Sequence, residues 1–403
     1  MVQQKLVSSE KTNEKENICR DEPELRFPEF KDKWKKEKIG EISKTYSGGT
    51  PSTSNKNFYI GNIPFIKSGE INSEETEQYI NEDAINNSSA KLVKKGDLLL
   101  ALYGATSGEV AISKLDGAIN QAVLKIDNEM DNVFQYNYFL KEKENIVHKY
   151  LQGGQGNLSS KIIKNLELYY PNINEQKKIA NFLLTIDKKI GLLEKKLVLY
   201  QQLEKDVRKS IFNFNDEKIG FNKFLLGEIA EIKKGFTPST QNEEFWNDGK
   251  YLWLSIADMN KKYLTETSKK ITEKAIKNRA IIPKNTLVMS FKLTIGKLAI
   301  LKEDMFTNEA IASFNWKNKK ISTEYMYFYL KSINIKKYGS QAAKGITLNN
   351  ETLNSIPVYL PDLNKQKEIV EILLSFNNKI EMLKTQLTAL NRFKKGLLQK
   401  MFV

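Results

Sequence analysis

A chain of 403 residues has room for two or three domains with proper cores. Its 63 Lys and Arg against 49 Asp and Glu leave a net charge of +14, which fits either a polyanionic partner or the Lys-rich bias of an AT-rich genome. The single cysteine, Cys19, excludes an internal disulfide and has no neighbouring metal ligands; with no apolar run near the ~18 residues of a membrane span and no signal-peptide core, a cytoplasmic protein is expected.

Residues 1–24 are rich in Lys, Glu, Asn, Gln and Ser, too polar to offset the entropy of ordering, and are expected to form a disordered tail. A first folded block follows over residues 25–172. Its short apolar runs Asp97 to Tyr103, Val110 to Ile112 and Ala122 to Ile126, bounded by Gly, Asp and Asn, predict buried strands, and Phe134 to Leu151 predicts a helix. Pro171 supplies a breaker and Asn174 an N-cap before a long helix over 173–213. That helix carries Ile179, Leu183, Ile186, Ile190, Leu193 and Leu197 at alternating steps of four and three, the period of a coiled-coil seam.

The remainder repeats this plan. "GEI" at Gly40 to Ile42 returns at Gly227 to Ile229, and "TPST" at Thr50 to Thr53 returns at Thr237 to Thr240. Asn120 is matched by Asn308, Pro171 by Pro361 and Gln176 by Gln366, so the offset drifts only from 187 to 190 residues. A second block over 214–362 therefore precedes a second long helix over 363–403, with Ile369, Leu373, Phe376, Ile380, Leu383 and Leu387 repeating the first seam. Preserved order at a slowly drifting offset means tandem duplication, and a period this long is no solenoid. Each copy should be a mixed α/β (α+β) domain followed by one long helix.

No active site emerges from these residues. His148 is the only histidine, its counterpart is Tyr338, and nothing near it supplies a triad or metal-ligand spacing. Pro361-Asp362 with Glu368 faintly suggests a metal-dependent nuclease, but the other copy reads Pro171-Asn172, and a breaker with a cap accounts for both. "GGQG" at Gly153 to Gly156 follows a helix rather than joining a strand to one, and no phosphate loop or dinucleotide fingerprint is present.

What remains is a binding surface. If two copies read different ligands on one scaffold, framework positions match and reading positions differ. Tyr103 to Ile112, "YGATSGEVAI", against Phe291 to Ile300, "FKLTIGKLAI", keeps Thr106/Thr294 and the following Gly but changes Gly104/Lys292, Ala105/Leu293, Ser107/Ile295 and Glu109/Lys297. Lys67-Ser68 against Ser255-Ile256 behaves alike, and Gln152 to Ser160 against Ala342 to Asn350 carries amides, hydroxyls and Lys344. Such side chains on loops are what base-edge and phosphate contacts require, although ordinary loop divergence would look the same. The candidate DNA-binding residues are Thr50, Lys56, Lys67, Ser68, Tyr103, Gly104, Ala105, Thr106, Ser107, Gln152, Gln155 and Asn157 in the first copy. In the second they are Thr237, Ser255, Lys292, Thr294, Lys344, Thr347 and Asn349.

"ELRFPEF...W", "GEI...GGTPST", "GDLLLALYGATSGEVAI", "NQA" and "P...NEQKKIANFLLTIDKKI", followed by a second copy, resemble the specificity subunit (HsdS) of Type I restriction-modification systems. The resemblance covers nearly everything after residue 24. It implies two target-recognition domains, each reading half of a split asymmetric DNA sequence, with the long helices pairing as an antiparallel coiled coil. It also implies assembly with two modification (methyltransferase) subunits that methylate adenine N6, and with restriction/translocase subunits. S-adenosylmethionine, ATP and Mg would then belong to those partners, with no cofactor, metal or catalytic residue in this chain. Copy two departs from the glycine-rich loop pattern, reading "FKLTIG" for "YGATSG".

A helix of about 35 residues rises roughly 50 Å, and one turn of B-DNA is roughly 35 Å, so such a rod suits two heads separated by an unread gap. In an antiparallel pair Glu204 and Lys394, which interrupt the two seams, lie at opposite ends and form no salt bridge with each other. The competing readings are a protein-bridging coiled-coil scaffold without sequence-specific DNA binding and, third, a nuclease or methyltransferase in its own right.

Overall fold

The computed structural model describes residues 21–151, 157–213, 220–292, 294–342 and 345–403; most of the expected tail lies outside them. The chain divides into two compact units, one running to Leu193 and resuming at Gln386–Val403, the other spanning Glu194–Thr385.

In the first unit, the strand Leu98–Ala101 is buried along its whole length because both of its faces are covered. Alternate side chains leave a strand on opposite sides. Leu98 and Leu100 join a core with Phe134 and Ile179, while Leu99 and Ala101 join another with Ile66 and Ile119. The expected strand from Asp97 to Tyr103 is shorter at both ends: Asp97 accepts from the Lys94 amide and pairs with Lys125, each at 2.7 Å, and Tyr103 has already entered a loop. The sheet runs Lys44–Ser47, Val123–Asp127, Leu98–Ala101, Val110–Ile112, antiparallel throughout. A second sheet runs Tyr79–Ile80, Ile63–Ile66, Gly117–Ile119, Lys91–Val93, with its middle pair parallel. The helix starts at Asn132, earlier than Phe134, because the Asp131 carboxylate accepts from the Val133 and Phe134 amides at 2.9 Å.

The second unit repeats this plan. Leu287–Ser290 lies between Ile311–Trp316 and Leu298–Leu301, with Ala230–Lys234 at one edge and a parallel strand, Tyr263–Leu264, at the other. Here too one strand feeds two cores: Leu287 and Met289 go to one, Val288 to the other.

The long helices are Ile173–Ile211 and Leu363–Met401, 39 residues each. Their caps correct one expectation. Asn172, not Asn174, accepts from the Glu175 amide at 3.1 Å, and Asp362 does the same for Asn364 and Lys365 at 2.9 and 3.0 Å. Asp362 therefore sits at a helix start as a cap. One turn further on, Gln176 and Gln366 are buried, and each donates to the carbonyl of the preceding proline, Pro171 at 2.8 Å and Pro361 at 2.9 Å. Each also accepts one backbone amide from the shorter helix region of its unit, Asp131 at 3.0 Å and Ser322 at 2.9 Å.

Within the first unit, Ile179, Leu183, Ile186 and Ile190 share a core with Leu387, Leu390, Leu397 and Met401, low numbers against high, so the helices pair antiparallel. Within the second, Val207 and Ile211 share a core with Ile369 and Leu373 in the same sense. Ile380 and Leu383 are buried, and Leu193, Leu197 and Phe376 half-buried, as seam residues should be. The seam charges are satisfied separately: Lys394 reaches Asp187 of the facing helix at 2.5 Å, and Glu204 pairs with Arg208 at 2.8 Å.

An arm from Glu24 to Trp34 docks on the first unit. Arg26 binds the fully buried Glu175 carboxylate through two contacts of 2.8 Å, which hold the guanidinium pKa above its ordinary value. The Leu25 amide donates to the Lys400 carbonyl at 2.7 Å.

Candidate nucleic-acid interface

Two loops and a turn meet at one edge of the first unit. The segment "GGTPST" passes so close to the strand Gly117–Ile119 that a Cβ on Gly48 would lie 1.7 Å from the Ile119 carbonyl oxygen; only glycine permits this approach. Beyond it, the exposed Thr50 hydroxyl donates to Oε1 of Gln121 at 2.5 Å. Gln121 follows Asn120, whose side chain accepts from the Ala122 amide at 3.1 Å and so fixes the turn. Tyr103, its hydroxyl pKa pushed up by burial, donates to the Gln121 carbonyl. Tyr103 and Gln121, with Ser47, Asn157 and Ser159, line an open cleft of about 460 Å³. Gly104 follows at φ +89°, and its Cα face lies against Ser68, a Cβ there coming 3.9 Å from the Ser68 hydroxyl.

The second unit builds the same corner from different groups. A Cβ on Gly235 would lie 2.0 Å from the Thr307 carbonyl oxygen. Thr237 then donates its hydroxyl to Glu309 and accepts from the Asn308 side chain at 2.8 Å, while Asn308 also fixes its turn through the Ala310 amide at 2.8 Å. Where the first unit brings Gly104 to Ser68, here the Lys297 ammonium donates to the Ile256 carbonyl at 3.1 Å. Tyr103 is replaced by Phe291, which is fully buried and has no hydroxyl to donate.

Residues 31–203 and 218–392 each match the family described as Type I restriction modification DNA specificity domain. The chain belongs to this family. Its specificity-subunit relatives include the MjaVIII specificity subunit of Methanocaldococcus jannaschii, 24% identical, the match covering 93% of this chain and 92% of that one. The EcoR124I/EcoR124II specificity subunit of Escherichia coli is 28% identical over 47% of this chain and 50% of its own. In fold, this specificity subunit is similar to the S subunit of the Type I system of M. genitalium, with TM-score 0.60 and 18% identity over 95% and 99% of the two chains. A chain from a study of complex assembly in the Type I system gives TM-score 0.62 at 14% identity over 92% and 97%.

Several residues that the sequence marks for DNA binding are committed to the specificity subunit's own loops. Ser107 donates to the Leu102 carbonyl at 2.8 Å, Ser255 donates to Asp258 at 2.6 Å, and the Asn349 side chain caps the Thr352 amide at 2.8 Å. The Lys67 ammonium lies 3.9 Å from Glu77, and its amide donates to Glu70 at 3.1 Å. Lys56, on the short helix Lys56–Tyr59, Ala105, Lys292, Thr294 and Asn157 are exposed, and Thr106 is half-buried. Thr347 enters only as backbone of the strand Gly345–Thr347; Gln152, Gln155 and Lys344 lie outside the described residues. Two exposed side chains at this corner that the sequence does not mark are Gln121 and Glu309. Their signal was present: each follows a matched Asn, and the two copies differ there.

Among the described residues, no group of three or more His, Cys, Asp or Glu is placed to hold a metal, and no helix is long and apolar enough to cross a membrane. His148 is exposed on the helix Asn132–Leu151.

Proposed function

We propose that this chain is the non-catalytic DNA-reading subunit of a Type I restriction-modification complex, each unit reading one half of a split asymmetric target. The observation that carries this is the repeated corner: Gly48, Thr50 and Asn120 against Gly235, Thr237 and Asn308 keep one scaffold, while the exposed groups on it differ. The domains are then 25–172 and 214–362, with the helices over 173–213 and 363–403 as spacers. A helix of 39 residues rises about 58 Å, and its length sets the unread gap.

Two modification subunits dock on the long helices, which expose equivalent apolar residues in each unit. Phe182, Leu192 and Phe393 in the first correspond to Ile372, Met382 and Leu203 in the second. Repeated, exposed apolar positions suit two copies of one partner. Methylation at adenine N6 with S-adenosylmethionine, and ATP- and Mg-dependent translocation and cleavage by restriction subunits, occur in those partners, in the cytoplasm. Mapping methylated adenines in DNA modified by the assembled complex tests the whole reading. A two-part motif with a constant gap is expected, and exchanging residues 25–172 for those of another specificity subunit should change one part only. A change in both parts would overturn the two-headed arrangement.

A further inference from the structure

Resting on that DNA-reading function, we infer that Gln121 and Glu309 are the matched specificity-determining side chains of the two units, reading base edges of opposite hydrogen-bonding sense. Both are exposed, and both stand on a turn held at several points. Asn120 and Asn308 close the turn through the Ala122 and Ala310 amides, and the carbonyls of the same asparagines accept from Val123 at 3.2 Å and Ile311 at 3.0 Å. A rigid turn leaves the side chain little freedom to lose on binding. The Thr of each "TPST" then ties down one end of that side chain. Thr50 engages Oε1 of Gln121, so the Nε2 amide points away with two donors and no partner among the described residues. Thr237 engages one oxygen of Glu309, so the other carboxylate oxygen is left as an acceptor.

The outward group therefore donates in the first unit and accepts in the second. An amide whose oxygen is tethered offers donors alone and suits a base edge presenting acceptors, guanine N7 and O6 foremost. A carboxylate accepts only, and among the bases it suits an amino donor, cytosine N4 foremost. The opposite sense also separates reading from phosphate attachment. A carboxylate is repelled by the backbone of DNA, so on a chain of net charge +14 Glu309 at a DNA-facing corner is consistent with a base edge and not with a phosphate. The threonines are positioning residues, since they act through the side chains they hold.

The test uses the full chain assembled with its modification subunits and a randomised duplex library, the bound fraction being sequenced. Gln121→Glu should shift the preferred base at one position of one half-site by about tenfold, towards a base with an amino donor, and leave the other half-site as it was. Glu309→Gln should do the reverse in the other half-site. Thr50→Val should blunt discrimination at the Gln121 position alone. Unchanged profiles for both Gln121→Glu and Glu309→Gln, with binding retained, would overturn the assignment. So would a uniform loss of binding to every sequence with the unfolding midpoint unchanged, which would make these residues general affinity contacts. A parent complex with no sequence preference would instead count against the DNA-reading function itself.

Discussion

Gln176 and Gln366 show what a single side chain can hold. Each is almost wholly buried and ties the start of a long helix to backbone groups, two for Gln176 and three for Gln366, which also donates to the Lys320 carbonyl at 3.1 Å. Removing the amide strands those groups away from water, which costs about 1–3 kcal/mol. Gln176→Ala should therefore lower protection from hydrogen exchange in the first unit and leave the second untouched, and Gln366→Ala the reverse. Asp258 makes a different case. Burial pushes its carboxyl up, but donors from the Ser255 side chain and amide and from Ser268 outweigh this, and the net pKa lies below the ordinary 3.8. A depressed carboxyl contributes stability that is present above the unfolded pKa and is lost as pH falls through the folded one. Ser255→Ala should raise the Asp258 pKa, seen in the carboxyl carbon shift on titration, and should make the loop acid-sensitive from a higher pH. The sequence marks Ser255 as polar on a variable loop. Its hydroxyl is spent on Asp258, which residue type alone does not reveal.

At the scale of elements, the long helices were legible because both seams repeat one spacing, and a helix shows its period in any short window. The strand Leu98–Ala101 was legible as apolar but not as the divider between two cores, since a run buried on both faces has no alternation to read. The Thr50–Gln121 contact spans 71 residues, a distance over which local pattern carries no information. What the seams leave over is the outward face. Leu203 and Phe393 are 49% and 54% exposed, so neither supports the core. Leu203→Glu and Phe393→Glu should leave the unfolding midpoint and the half-site preferences unchanged. They should weaken capture of a modification subunit by about 30-fold each, the scale of an interface residue worth about 2 kcal/mol. Analytical ultracentrifugation of the mixed subunits reads this directly, and undiminished assembly would remove the docking face from these positions.

For the whole molecule, the tandem duplication was visible in the drifting offset, but the division of the chain was not. The first unit does not consist of the first half alone: it includes Gln386–Val403. Leu397, Leu398, Met401 and Phe402 are buried in it, and the Phe402 ring lies 5.0 Å from Phe134. The corresponding place in the second unit is taken by Phe212, at the end of the first long helix, with its ring 5.6 Å from both Tyr325 and Tyr329. Each unit is thus completed by the helix end that the other copy's numbering would claim. Sequence order cannot announce this, because both helix ends carry the same apolar pattern and either could pack on its own block. The consequence is testable and runs against position in the chain. Phe402→Ala empties a core site at the cost of about 3–5 kcal/mol. That loss should appear as reduced exchange protection in Leu98–Ala101, some 300 residues away, and as weaker reading of the half-site assigned to the first unit. The strand Leu287–Ser290, much nearer in sequence, should keep its protection, and its half-site should be read as before. Loss of protection in Leu287–Ser290 instead would place the end of the second helix in the other core.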